Sequence, residues 1–165
     1  MFQFRDPGPL IDGDLELVLL EACPGDPLLG LVPVYRFEMR RVGQPQALGA
    51  IELRVGSTVH LVTYAGHIGY GVNREQRGHG YAARACKLLL ALARSHGIET
   101  LWITCNPDNV ASRKTLERLG AEYVERVDLP DDTDMYRRGE RKKCRYRLDV
   151  PVSAEPSAVP LPPNG

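Results

Sequence analysis

The stretch over residues 66–95 constrains the fold more than any other part of the chain. Gly66 to Val72 reads as a strand, and Asn73-Arg74-Glu75-Gln76-Arg77-Gly78-His79-Gly80 as a glycine-bearing loop. Ala82, Ala85, Cys86, Leu89, Leu92 and Ala93 then recur at three- and four-residue spacing, which predicts a helix over residues 80–95 with Gly97 just past its end. A strand that feeds a helix through such a loop leaves the N–H groups of the first helical turn unpaired, and the helix dipole adds partial positive charge there. Gly78 and Gly80 admit a ligand without a Cβ in its way, and Arg77 supplies a fixed cation. The pattern predicts a phosphate-bearing ligand, with a cofactor as the leading reading.

Around this unit the chain alternates between strands and helices. Residues 15–20 read as a first strand, followed by a loop with Pro24, Gly25, Pro27, Gly30 and Pro33. Over residues 34–41, Tyr35, Phe37 and Met39 alternate with Val34, Arg36 and Glu38, as a half-exposed strand requires. Residues 48–55 form a third strand, residues 59–63 a short extended piece, and residues 66–72 the fourth strand. Beyond the first helix, residues 101–105 read as a buried strand and Asn106-Pro107-Asp108-Asn109 as a turn. A second helix covers residues 110–119, with Asp108 or Asn109 as its cap and Gly120 as its stop. Residues 121–128 and 143–150 are the last strands, and residues 129–140 a polar loop between them. This order predicts a mixed α/β domain over residues 1–150. The proline-, serine- and alanine-rich residues 151–165 have little to bury and read as a disordered tail.

Arg77-Gly78-His79-Gly80-Tyr81-Ala82 resembles the Arg/Gln-x-x-Gly-x-Gly/Ala pyrophosphate signature of GNAT-type acyl-CoA N-acyltransferases. About thirty residues on, Asn109-x-x-Ser112 followed by Glu117-Arg118-Leu119-Gly120 is similar to that family's second block. Two blocks in order extend the resemblance over roughly residues 48–148. It implies a single-domain GNAT-like fold, a mixed central sheet with flanking helices, and acetyl-CoA as cosubstrate. It places the cofactor against Tyr70, Gly71, Val72, Arg77, Gly78, His79, Gly80, Tyr81 and Ala82, with Asn106, Asn109 and Ser112 touching the pantetheine or phosphate region. The amides around Tyr70 to Val72 are implied as donors to the thioester oxygen, and Gly69 and Gly71 fit close approach of a ligand. One departure stands out: residues 21–33, studded with proline and glycine, are too short for the helical pair that relatives carry over the acceptor side. The acceptor side is then either open, or covered by the 129–140 loop or by a partner chain, as in a homodimer.

Acyl transfer to an amine needs a base, donors for the developing oxyanion, and stabilisation of the departing thiolate. His67, at the start of the fourth strand, and Glu52, on the third, are the candidate bases. Their alternatives are a structural histidine bonding a neighbouring strand and a solvent-facing glutamate. Position 116, where relatives often have a tyrosine acid, is leucine, which leaves Tyr136, Tyr146 or solvent for that task. Cys105, at the end of an apolar strand, reads as a core thiol rather than a nucleophile, so direct attack in a ternary complex fits better than an acyl-enzyme. Arg113 or Lys114 either meets the 3′-phosphate of CoA or lies on a solvated helix face.

The function predicted is thus an acetyl-CoA-dependent N-acetyltransferase acting on a primary amine. The alternatives are a silent CoA-binding sensor, a transferase using another acyl-CoA, and an RNA-binding module on the basic run at 137–147. With 21 Lys+Arg against 21 Asp+Glu, the chain has no net charge to draw it broadly to nucleic acid or an anionic membrane. No apolar stretch approaches a membrane span and no export pattern opens the chain, which predicts a cytoplasmic protein with reduced cysteines. Histidines 60, 67, 79 and 96 lack metal-ligand spacing with cysteines 23, 86, 105 and 144, so no metal is expected.

Overall fold

In the computed structural model, which describes residues 2–152, alternating side chains make the N-terminal half an antiparallel meander. Its strands are β1 (Leu10–Asp12), β2 (Leu15–Cys23), β3 (Val34–Arg41), β4 (Ala47–Arg54) and β5 (Ile68–Val72), paired in that order. Tyr35, Phe37 and Met39 point inward against Leu15, Ile51 and Leu53, all essentially fully buried. Each such side chain contributes about 1.5–3 kcal/mol of burial. The helix predicted over residues 80–95 is present but broken: α1 (Tyr81–Leu88) and α2 (Leu90–Ser95) meet at Leu89, whose N–H bonds Cys86 O at 3.1 Å. That tighter, i to i−3 step keeps Leu89, Leu92 and Ala93 all in the core.

The C-terminal half forms a second antiparallel sheet, with β8 (Lys142–Asp149) between β6 (Thr100–Cys105) and β7 (Glu122–Asp128). Helix α3 (Val110–Leu119) begins and ends where its caps direct: Asn109 Oδ1 accepts from Ser112 N–H at 3.1 Å, and Gly120 takes φ +85°. The predicted polar loop 129–140 holds one helical turn, α4 (Asp134–Arg137), capped by Thr133. Residues 153–165, most of the expected disordered tail, lie outside the described residues. Among the described residues no helix is long and apolar enough to cross a membrane.

The two sheets touch at one vertex and then separate. His67 N–H donates to Trp102 O at 2.6 Å, and Trp102 N–H donates to His67 Nδ1 at 2.9 Å. Beyond that point β5 pairs only with β4, and β6 only with β8. The strands leave a wedge with unpaired edges, which is where a ligand can enter.

The segment expected to be extended at residues 59–63 is instead helical and closes as a π-helical turn, Leu61–Ala65, with Gly66 N–H bonded to Leu61 O. Local β-propensity loses here to three side chains from three strands. Arg145 donates to Val62 O, Thr104 to Tyr64 O, and Arg54 to Ala65 O and Gly66 O, so the turn's carbonyls are satisfied only in this shape. No helical pair fits between β2 and β3; the interval holds a single turn, Pro27–Leu29. The sheet face left uncovered carries charge instead, with Glu21, Arg36, Glu52 and Arg54 linked in one ion-pair ladder across β2, β3 and β4.

Candidate functional site

Two cavities meet in the wedge. The first, about 310 Å³, runs between the end of β5, the glycine loop and α3. Gly78 and Gly80 take φ +90° and +70°, which favour glycine, and a Cβ on either would enter open space rather than protein. Arg84 N–H is the first to bond back, to Gly80 O, so the amides of Tyr81, Ala82 and Ala83 are left to the first-turn position. Arg77, Lys114 and Arg118 line this cleft, and no carboxylate does. Three cations, orphan amides and a helix N-terminus make it an anion site.

Most of the predicted cofactor residues are brought together here: Tyr70, Gly71, Val72, Arg77, Gly78, Gly80, Tyr81, Ala82, Asn109 and Ser112. Two are not. The His79 side chain is exposed and tilted against the Tyr81 ring, and does not line the cleft. Asn106 lies on the other side, its Oδ1 accepting from Lys143 Nζ at 2.7 Å. Arg77 is partly committed, its Nε donating to Val72 O. Arg113 turns away to donate to the Tyr146 hydroxyl, while Lys114 faces the cleft. Sequence reasoning missed Arg118, although its i, i+4 spacing from Lys114 puts both on one helical face.

The second cavity, about 780 Å³, opens on the opposite side of the wedge. Its walls are the short turn at 29–31, the π-helical segment with His60 and Tyr64, and the 129–140 stretch, which contributes Asp132 to Met135, Arg138 and Glu140. The 129–140 stretch thus forms one wall of this cavity opposite the shortened N-terminal region. Glu140 is drawn below the usual carboxylate range: partial burial pushes it up, but hydrogen bonds from Lys143 and Asn106 outweigh that. Tyr70, Asn109 and Ser112 line both cavities and so mark the passage between them.

Neither candidate base lines either cavity of the wedge. His67 is 4% exposed, and both ring nitrogens are used: Nδ1 accepts from Trp102 N–H, and Nε2–H donates to Gly56 O at 3.0 Å. Burial holds its pKa below the ordinary imidazole value, and it lines neither cavity of the wedge. Its geometry is that of a bolt at the vertex. Glu52 is held by Arg54 at 2.5 Å and Arg36 at 3.2 Å on the open sheet face, where it positions Arg54 against the π-helical turn. The hydroxyls proposed for the leaving group also lie elsewhere. Tyr146 is buried beneath Arg113, and the Tyr136 ring lies under Arg141 at 3.7 Å. Cys105 lines the second cavity, but burial raises its thiol pKa, so it stays protonated.

Six of the seven cations in the basic run at 137–147 are ion-paired, two of them on Glu140, and Arg141 lies over the Tyr136 ring. Arg137, Arg138, Lys142, Lys143, Arg145 and Arg147 each pair with a carboxylate. This agrees with a solvated closing strand rather than a cationic nucleic-acid surface.

A model of the acetyltransferase (GNAT) domain matches residues 29–122. The chain belongs to the GNAT acetyltransferase family. No curated protein sequence matches it. Among solved structures, a probable acetyltransferase (GNAT family) from Chromobacterium violaceum superposes with a TM-score of 0.63 at 15% identity, over 90% of this chain and 89% of that one. A ribosomal-protein-S5-alanine acetyltransferase from Vibrio fischeri gives 0.57 at 17% identity, over 74% and 64%. The microcin C7 self-immunity acetyltransferase MccE, in complex with acetyl-CoA and AMP, gives 0.53 at 16% identity, over 71% and 61%. The chain spans less than two thirds of the last two proteins. At these identities the likeness is one of fold. The GNAT assignment nonetheless agrees with the cleft: cationic, carboxylate-free and built on the glycine loop, it suits the phosphates of acetyl-CoA.

Proposed function

We propose that this GNAT protein transfers an acetyl group from acetyl-CoA to the neutral form of a primary amine, by direct attack within a ternary complex. The observation that carries this reading is the meeting of two unlike cavities at Tyr70, Asn109 and Ser112. One is cationic without a carboxylate; the other is larger, open and mixed in charge. A donor in the first and an acceptor in the second would face each other only at that passage.

The diphosphate would rest on Arg77, the loop glycines and the first-turn amides of α1, with Lys114 and Arg118 available to a further phosphate. The free edge of β5 offers the Tyr70 and Val72 N–H groups to the thioester oxygen as charge develops on it. The Ser112 hydroxyl, at the passage, donates to the departing sulfur. For the acceptor's proton, His60 is the one imidazole lining the second cavity among the described residues, and it is exposed. The other histidines lie elsewhere: His67 is bonded at the vertex, His96 to Tyr35 at 2.6 Å, and His79 is outside both cavities. With the only cavity thiol buried and protonated, attack by the amine itself is favoured over an acyl-enzyme.

The test is calorimetric titration with acetyl-CoA, then release of free thiol against a panel of small amines and peptide amino termini. Binding with turnover is expected. Binding with no turnover on any amine would favour a silent CoA-binding module, and no binding would overturn the reading altogether. In His60→Gln, kcat/KM should fall by about 10²-fold or more while CoA affinity holds; an unchanged kcat/KM would remove His60 from the chemistry.

A further inference from the structure

We infer that Tyr70 is a positioning residue for departure of the sulfur, its hydroxyl fixing the Ser112 hydroxyl across the passage between the two cavities. The inference rests on the acyl-transfer reading above, and it begins with strand register. Tyr70 pairs with the buried Ile51, so its ring points to the core face of the sheet and toward α3, while its neighbour Gly69 pairs with Glu52 on the opposite face. The hydroxyl ends 2.7 Å from Ser112 Oγ and 3.4 Å from Ser112 O. This bond spans the wedge from β5 to α3, between residues that both line the two cavities.

Two threonine hydroxyls near the passage are already committed, and the Tyr146 hydroxyl lies outside both cavities. Thr104 donates to Tyr64 O, Thr115 to Ala111 O, and Tyr146 accepts from Arg113. Position 116 is a fully buried leucine and supplies no donor. Ser112 is different. Its N–H is fixed by Asn109 Oδ1, and with its Oγ accepting from Tyr70 its own hydrogen can turn toward Cys105 Sγ or into the passage, where a bound sulfur would compete for it. Burial pushes the Tyr70 hydroxyl well above the ordinary phenol range. Tyr70 therefore keeps its proton at every working pH, so it is able to donate to Ser112 Oγ and is not a proton source.

The step balances without proton transfer from either hydroxyl. The amine nitrogen forms its bond to the acyl carbon, the C–S bond breaks, and its electron pair stays on sulfur. The proton lost by nitrogen goes to solvent by way of the base. The thiolate is held by the Ser112 hydroxyl, and that hydroxyl is held by Tyr70.

Tyr70→Phe keeps the ring and removes only the donor. The thiol of bound CoA is titrated by thiolate absorbance, as the difference from protein loaded with desulfo-CoA, in the wild type, Tyr70→Phe, Ser112→Ala, Ser112→Thr and the Phe/Ala double variant. Each chain is first checked for a cooperative thermal transition. The titration should move up by about one pH unit in Tyr70→Phe, the equivalent of about a tenfold change, and kcat should fall by about the same factor. CoA affinity should change less than about twofold, a split that a merely structural role would not give. Ser112→Thr should keep the wild-type titration. In the Ser112→Ala background the second substitution should add nothing, because Tyr70 acts through Ser112. A wild-type thiol titration in Tyr70→Phe, or full additivity in the double variant, would overturn the inference. The titration needs no acceptor, so it decides this point even where an absence of wild-type turnover would count against acyl transfer itself.

Discussion

Removing the His67 ring separates a bolt in the fold from a base in the chemistry. The ring sits at the vertex of the wedge, accepting from Trp102 N–H at 2.9 Å and donating to Gly56 O at 3.0 Å. Alanine deletes both bonds. An unpaired Trp102 N–H costs about 1–3 kcal/mol, whereas the half-exposed Gly56 carbonyl can turn to water and loses only about 0.5–1.5 kcal/mol. The sum, about 1.5–4.5 kcal/mol, corresponds to a midpoint about 3–18 °C lower for a chain of this size. His67→Asn should recover about half of that, because Oδ1 takes the place of Nδ1 and restores the bond to Trp102. The sign of the pH dependence follows from burial, which holds the folded pKa below the unfolded value of about 6.5. The unfolded chain then binds the proton more tightly. Stability is at its full value above about pH 6.5 and declines as pH falls through that value toward the folded pKa. Thermal unfolding followed by circular dichroism at a series of pH values should show this decline in the wild type and less of it in His67→Asn. Thiol release should fall only as far as CoA binding falls. A His67→Ala chain of wild-type stability that binds CoA normally but has lost turnover would refute this account and return His67 to the chemistry.

Gly80→Val should lose CoA binding by calorimetry, since its side chain would enter the open space at the mouth of α1; retained affinity would sink the cofactor site. Its φ of +70° adds strain of about 1–2 kcal/mol, so the midpoint should also fall by a few degrees. Asn109→Ala should cost about 1 kcal/mol through the lost cap and weaken CoA binding as well; a stability loss with unaltered affinity would leave Asn109 as a cap only. Glu52→Gln should cost about 1–3 kcal/mol, because Glu52 and Arg54 are each only about a quarter exposed, and should leave the pH–rate profile in place. Loss of one limb of that profile would reinstate it as a base.

Local chemistry was legible where neighbours in the sequence decide it. The strand at Val34–Arg41 and the helix at Val110–Leu119 fall where alternation and caps put them, because those signals act within a few residues. The glycine loop likewise announced its anion site, since orphan amides and positive φ are properties of the loop itself. The π-helical turn was hidden, because its shape is set by Arg54, Thr104 and Arg145, remote strands whose side chains no window on residues 59–63 contains. His67 shows the same limit from the other side: its spacing suggested a base, but only the fold brings Trp102 and Gly56 to its two nitrogens. The sequence by itself determined the GNAT-like order of elements and the glycine loop that opens α1. Tertiary structure alone decided which groups stand at the passage, joining Tyr70 to Ser112 across 42 positions, because a hydrogen bond depends on where two strands diverge in space and not on how far apart they lie in the chain.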